Sequence, residues 1–347
     1  MPRHPLPSHR APRSGARPDA MFEEFPSVLF PVSGVRVSVF VPPLVAFAIS
    51  TVTSMAGVSG AFLILPFQVS WLRYTAPSVS ATNFVYNLVA IPGGVYRYIR
   101  EGRMAWPLAW VVAAGTLPGV FAGYWLRVRF LLDPRDFKAF VGCILLYLGL
   151  RLLYDAAGRA QKGSPQAGAL EEKFRRHAEE AARGRRASLA AGLPPAAVVR
   201  TRSVSRARVV YEFWGEEFAF GTPAMFCLAL IVGAIGGAYG IGGGALIAPI
   251  CVALFGLPVY TVAGAALLAT FLTSVAGVIF YTLVPLQAGA SHAPDWLLGI
   301  LFGLGGVPGM YCGARLQKFL PQKHLKIVLG CPITFLAASY LRQYFRG

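Results

Sequence analysis

The segment GAIGGAYGIGGGALIAP, Gly233 to Pro249, decides how this chain is read. It lies within a run from Phe218 to Pro294 that contains no Asp, Glu, Lys or Arg. One helical crossing of a bilayer takes roughly 20 apolar residues, so the run has room for two or three crossings. The glycines superficially match a nucleotide-binding loop. No GK[ST] follows them, however, and they begin in an apolar helical pattern rather than after a strand, so Walker and Rossmann readings fail their context. Two explanations remain: close helix packing through small residues, or a helix that unwinds within the bilayer.

A second copy of the pattern supports the unwinding. GVSGAFLILP at Gly57–Pro66 aligns with GIGGGALIAP at Gly240–Pro249 at an offset of 183 residues. At that offset Asn87 meets Thr270, Gly94 meets Gly277 and Tyr98 meets Tyr281. Further on, PGVFAG from Pro118 aligns with PGMYCG from Pro308, and FKAFVGC ending at Cys143 with LKIVLGC ending at Cys331. Apolar segments fall at about 41–71, 79–98, 104–126, 137–153, 225–255, 259–283, 296–314 and 327–341. The expected fold is therefore an all-α polytopic membrane protein of about 8 transmembrane helices. It has two homologous four-helix halves, each with a first helix that is broken or re-entrant, and a polar central insert. The expected divisions are a disordered basic tail (1–37), a first repeat (38–154), a polar basic insert (155–220) and a second repeat (221–347).

Composition agrees. The chain is 55% hydrophobic and 14% charged, against about 25% charged in soluble proteins. Its net charge of +17 resides in segments between apolar runs, which fits membrane-facing loops better than a nucleic-acid stripe. The first twenty residues are rich in Pro and Arg without an apolar core, so they form no secretory signal. Positive-inside counting puts the tail and the insert in the cytoplasm, with Arg97, Arg100 and Arg103, if the first segment crosses once. The basic loop Arg127–Lys138 would then lie outside, which conflicts with the same rule. Within the insert, LEEKFRRHAEEAARGRRASLAAGL reads as a surface helix, and the stretch after Pro195 as a short hairpin turning near Gly215.

Candidate site residues come from the breaks and the spans that follow them. An unwound helix frees backbone N–H groups, and a restarted half-helix directs its positive dipole end at an anion. That points to Gly57, Ser59 and Gly60 in the first half and to Gly240, Gly242, Gly243 and Gly244 in the second. Downstream lie uncharged polar side chains in apolar spans: Ser80, Thr82, Asn83, Tyr86 and Asn87, then Thr270, Thr273 and Ser274. Asn83 and Asn87 are four apart and share a helical face. Such groups serve either as interhelical hydrogen bonds or as uncharged donors to an oxyanion that must be held and released. Arg97 is either a basic contact at the mouth or a loop anchor.

Other chemistry lacks its residues. No predicted span holds a carboxylate, which argues against an acid-based proton relay. The five cysteines fall in apolar stretches without a CxxC pair, so neither disulfide nor zinc site is signalled. There is no HExxH, no GxSxG and no histidine cluster. No enzyme activity, cofactor, metal or nucleic-acid partner is expected.

The duplicated glycine segment followed by Pro, the span near SATNFVYN, the PGxxxG motif and the two-half layout resemble the sulfite exporter TauE/SafE family. The resemblance covers about Val41–Tyr154 and Met225–Leu341. GVSGA stands where GxGGG is the commoner first-half pattern, and the central insert is long. The resemblance implies a multi-pass transporter in the cytoplasmic membrane that moves a sulfur-containing anion such as sulfite or an organosulfonate. Export is the favoured direction, because an inside-negative potential assists anion exit by about 2.3 kcal/mol per charge per 100 mV. A different class of function, a membrane scaffold whose basic insert docks a cytoplasmic partner, is the alternative.

Overall fold

A computed structural model describes residues 27–55, 59–157, 172, 173, 176, 197–284, 292–316 and 322–346. The helices are α1 (Val41–Met55), α2 (Ala61–Ser70), α3 (Ser78–Ala90), α4 (Pro92–Arg100), α5 (Trp106–Arg129) and α6 (Pro134–Ala156) before the insert. After it come α7 (Thr222–Tyr239), α8 (Ile247–Phe255), α9 (Val259–Leu283), α10 (Trp296–Leu316) and α11 (Gln322–Arg346). Among the described residues, 5 helices are long and apolar enough to cross a membrane. The outer surface is apolar, with Leu254, Leu283 and Phe335 at least 70% exposed. Trp106 and Trp110 stand exposed toward one end of the bundle and Trp71, Trp125 and Trp296 toward the other, the girdle positions where indole meets headgroups.

Glycine stripes set which helices touch. On α5, Gly119 and Gly123 face Gly233 and Gly237 of α7: a Cβ at either α5 position would stand 2.9 Å from the opposing Cα. On α10, Gly305, Gly309 and Gly313 lie in the same way along Pro43, Phe47 and Thr51 of α1. These are the glycines of the two PGxxxG motifs, extended by one turn. They let parallel backbones approach closely, which is how helices associate when lipid removes the hydrophobic drive between them. Elsewhere α6 packs on α11, and α3 packs on both α9 and α10. Ile91 keeps helical dihedrals and its N–H bonds Asn87 O, so α3 and α4 form one helical run interrupted by Pro92.

The broken segments turn back. In the second, Gly242 lies against Gly236, Gly243 against Gly233, and Cys251 Sγ contacts Met225 Sδ at 3.6 Å, so α8 retraces α7. Thr261, at the start of α9, shares a 2.9 Å hydrogen bond with Tyr211 of the sheet that leads into α7. The segment thus returns to the end from which it departs. In the first, Gly60 lies against Ser50, and the starts of α1 and α3 are joined through Asp295. Asp295 Oδ2 accepts from Ser33 Oγ at 2.8 Å, and Asp295 N donates to Thr82 Oγ1 at 2.9 Å. The eight apolar segments therefore do not make eight crossings: α1–α2 and α7–α8 are re-entrant pairs that start from opposite ends of the bundle. The reason is local, since glycine at Gly240 and Gly242 adopts φ of 87° and 82°, a left-handed conformation that ends a right-handed helix.

The chain is not all-α. Strands β1 (Ser27–Leu29) and β2 (Arg36–Ser38) form an antiparallel hairpin at the end where α1 begins. Strands β3 (Val199–Val204), β4 (Arg208–Phe213) and β5 (Glu216–Gly221) form a meander at the opposite end. Its β4–β5 turn has positive φ at both Trp214 and Gly215, as a two-residue primed turn requires. Val209, Tyr211, Phe213, Phe218 and Phe220 are buried on one face, and this alternation is what makes the segment a sheet. The expected hairpin gains β3 as a third strand. The expected tail is ordered from Ser27, because Phe30 and Val35 are buried. Hairpin and sheet lie at opposite ends, so tail and insert do not share a side as positive-inside counting expected. Most of the expected surface helix of the insert lies outside the described residues.

Two measurements test this arrangement. Cysteines placed by Arg36→Cys and Asp133→Cys, with native cysteines removed, are expected to react with an impermeant maleimide from the same face of sealed vesicles; labelling from opposite faces would refute the re-entrant path of the first segment. Gly119→Leu should lower thermal stability by about 1–3 kcal/mol through overpacking, whereas Gly93→Ala, with nothing within 4 Å of its Cβ, should gain about 0.5–1 kcal/mol.

Candidate functional site

The two breaks meet at α3. Asn83 Nδ2 donates to Ala61 O, where α2 restarts, and to Gly240 O, where α7 ends, both at 2.9 Å. One turn on, Asn87 Nδ2 donates to Ile241 O at 3.1 Å and to Ser274 Oγ of α9 at 3.2 Å. One turn back, Ser80 Oγ donates to Ala238 O at 3.0 Å. All three are fully buried. A helix break inside a bilayer leaves carbonyls without their i+4 donors, and each unsatisfied group is costly there. One face of α3 supplies those donors at helical spacing.

Other elements complete the coverage. Tyr239 OH donates to Phe62 O at 2.7 Å, tying the end of α7 to the first break. Tyr281 OH donates to Gly237 O at 3.2 Å, and Gly243 N donates to Thr273 Oγ1 at 3.1 Å. Tyr86 OH and Ser50 Oγ share a 2.9 Å hydrogen bond across the first break. Gly60 must be glycine at that point, since a Cβ would stand 2.6 Å from the Tyr86 hydroxyl. Gly243 would bring a Cβ to 2.6 Å from Thr116 Cβ, and Gly242 to 2.7 Å from Thr270 Cγ2. Gly244 packs on Ala266 and Thr270.

Of the residues expected from sequence, Gly60, Asn83, Asn87, Gly240, Gly242, Gly243, Gly244, Thr270, Thr273 and Ser274 come together around the breaks. Ser59 lies beside them, its Oγ accepting from Ala61 N at 3.3 Å. Gly57 lies outside the described residues. Thr82 does not join them: its Oγ1 donates to Ser78 O at 2.8 Å and meets Tyr74 OH and Asp295 N. It belongs to the cluster that fastens the hairpin end. Arg97 is on the surface, paired with Glu101 at 2.7 Å. Ser50, Thr116, Tyr239 and Tyr281 were not foreseen; the break carbonyls that Tyr239 and Tyr281 serve are groups that sequence never displays.

The donor inventory differs from expectation as well. The asparagine N–H groups are engaged by backbone carbonyls and Ser274 Oγ, and Asn83 Oδ1 and Asn87 Oδ1 are buried without hydrogen-bond partners among the described residues. The asparagines clamp the breaks here and present acceptors to what remains. Among the described residues no group of His, Cys, Asp and Glu could hold a metal.

Asn83→Leu leaves both Ala61 O and Gly240 O without that donor, and a buried unmet hydrogen-bonding group costs about 1–3 kcal/mol. Its unfolding temperature in detergent is expected to fall well below that of Thr82→Val, which leaves both breaks clamped. Equal temperatures for the two variants would count against the clamp.

No curated protein and no solved structure matches the chain. The family model of the sulfite exporter TauE/SafE matches residues 43–340. That span takes in both breaks, the clamping face of α3, both PGxxxG stripes and the sheet between the halves. The chain belongs to the sulfite exporter TauE/SafE family.

Proposed function

We propose that this protein is a secondary transporter that moves a small sulfur-containing oxyanion, sulfite or an organosulfonate, out across the cytoplasmic membrane. Family membership supports a membrane anion exporter, and the apolar spans support a multi-pass protein. The observation that carries the site is the Asn83 carboxamide, which joins the two breaks in the interior of the bundle. Broken helices at the midplane are where transporters hold substrate.

The reading includes two homologous halves of opposite orientation, 38–154 and 221–347. Packing supports it, because the contacts exchange when the halves do. The pair α1–α10 corresponds to α7–α5, and α3–α10 to α9–α5, while α3–α9 and α6–α11 correspond to themselves. Inverted repeats give the bundle two conformations of similar energy, one open to each side, which is the basis of alternating access. With the sheet and its arginines in the cytoplasm, the hairpin end faces outward.

The mechanism follows from the donors. Asn83 and Asn87 hold the breaks with the N–H groups that an oxyanion needs. An anion entering the site displaces break carbonyls from those donors, so binding and release of the clamp are one event. A ligand shifts a conformational equilibrium only by its differential affinity for the two states, and an anion bound in place of the clamp has that difference built in. The polar groups bonded at the breaks are uncharged hydroxyls, amides and carbonyls, so the complex carries the charge of its anion and responds to the membrane potential.

Purified protein in liposomes should carry radiolabelled sulfite or an organosulfonate, with flux following an imposed potential. Asn87→Leu and Gly243→Leu should each reduce flux strongly, while deletion of residues 163–197 should spare it. Folded protein with no flux of sulfite, sulfate or organosulfonate would reject the transport reading. Loss of function only on deleting the insert would instead favour the docking scaffold.

A further inference from the structure

Among the described residues, Arg127 and Asp295 are the buried charged side chains of the Asp, Glu, Lys and Arg set. Both lie at the hairpin end. Asp295 is accounted for: its oxygens accept from Ser33 N, Ser33 Oγ and Leu298 N, so it anchors the hairpin and caps α10. Arg127, in the last turn of α5, is different. It is fully buried, yet it makes no ion pair among the described residues. Its Nη2 donates to Thr75 O at 2.8 Å and its Nη1 to Leu131 O, both neutral carbonyls. Its Cζ stands 3.7 Å from the Phe137 ring centroid. Its Nε–H has no hydrogen-bond partner among the described residues.

The position matters as much as the charge. The Arg127 bond to Thr75 O sets the guanidinium beside Tyr74 in the chain, and the Tyr74 hydroxyl meets Thr82 Oγ1 of α3 at 3.2 Å. The Tyr281 hydroxyl donates to Gly237 O at 3.2 Å, and Ser80 Oγ donates to the adjacent Ala238 O at 3.0 Å. Ser80 is one turn from Asn83. Polar groups of Tyr74, Thr82 and Ser80 therefore lie between the guanidinium and the clamp. A structural arginine in a bundle interior is normally neutralised by an acid, because an uncompensated charge away from water is expensive. Two carbonyls and an aromatic face hold this side chain in place without cancelling its charge, and they leave the Nε–H over.

We propose that Arg127 is the fixed positive charge that draws the transported oxyanion from the breaks toward the hairpin end, its Nε–H serving as a donor to an anion oxygen. The proposal rests on the transport reading and adds a residue that the glycine and asparagine pattern does not include. It also supplies a charge-assisted hydrogen bond, the strong kind, where the asparagine donors are already engaged.

The test is sulfite flux in liposomes for wild type, Arg127→Gln, Arg127→Lys and the surface control Arg97→Gln, with KM, maximal rate and unfolding temperature measured for each. Losing a charged hydrogen bond corresponds to a rise in KM of about 10-fold to 100-fold, expected in Arg127→Gln alone. Arg127→Lys keeps the charge but not the planar fork, so it should lose thermal stability while retaining most of the affinity; Arg97→Gln should match wild type. A wild-type KM in Arg127→Gln overturns the proposal, as does an equal rise in the glutamine and lysine variants. If the glutamine variant does not fold, stabilisation of Arg127→Lys by added sulfite supports the proposal, and its absence in folded Arg127→Lys overturns it. Wild-type protein that carries no anion would be a failure of the transport reading, seen before any variant is compared.

Discussion

A single carboxamide holds the interior of this molecule together. Asn83 reaches a backbone carbonyl in each of two interrupted segments, one on each side of the insert, with two bonds of 2.9 Å. The constraint behind it is that a bilayer offers no water to a backbone that leaves the helix. Every interruption must find donors within the protein, and the cheapest source is a neighbouring helix with polar residues along one face. Ser80, Asn83 and Asn87 form that face on α3. Thr273 and Ser274 on α9, with Tyr239 and Tyr281, complete the enclosure. Helix positions, glycine stripes and even the close approach of α5 to α7 serve to bring these donors within reach.

Glycine does two separate jobs here. At Gly240 and Gly242 it provides positive φ, so that α7 can stop and the chain can turn back inside the bundle. At Gly119, Gly123, Gly305, Gly309 and Gly313 the backbone is ordinary helix, and the missing side chain lets a parallel neighbour approach. The two jobs are coupled. If the stripes were filled, α7 would move away from α5, and the loop that follows it would leave the reach of Thr116 and α3.

How much of this was legible follows from what each feature writes into the chain. Breaks, stripes and the asparagine face leave marks at fixed spacing, and duplication made those marks readable. Direction of travel leaves none: a long apolar segment with a glycine centre has the same composition whether it crosses or returns, so sequence alone leaves the first segment of each half open between a broken crossing and a re-entrant pair. Thr82 illustrates the limit of face arguments, since it neighbours Asn83 in sequence but points to the Asp295 cluster at the hairpin end. The β3 strand was missed because its residues are mostly exposed and arginine-rich, so it lacks the alternation that β4 and β5 display. Arg127 was counted as part of a basic loop, and only the packing of Phe137, Tyr74 and Thr75 around it shows that its charge is inside.

The placement of charge bears on how such a protein discriminates. An interior with no carboxylate at the breaks has no fixed anion to repel an incoming one, and no group that must trade a proton for each passage. Selectivity must then come from geometry: a limited number of N–H donors, each already satisfied by a carbonyl whose release has a cost. Under the proposed mechanism, only an anion with enough oxygens to replace several such bonds together recovers that cost, which favours compact tetrahedral or pyramidal oxyanions over halides. In the proposed mechanism, the backbone clamp held by neutral amides is both the closed gate and the measure of the cargo.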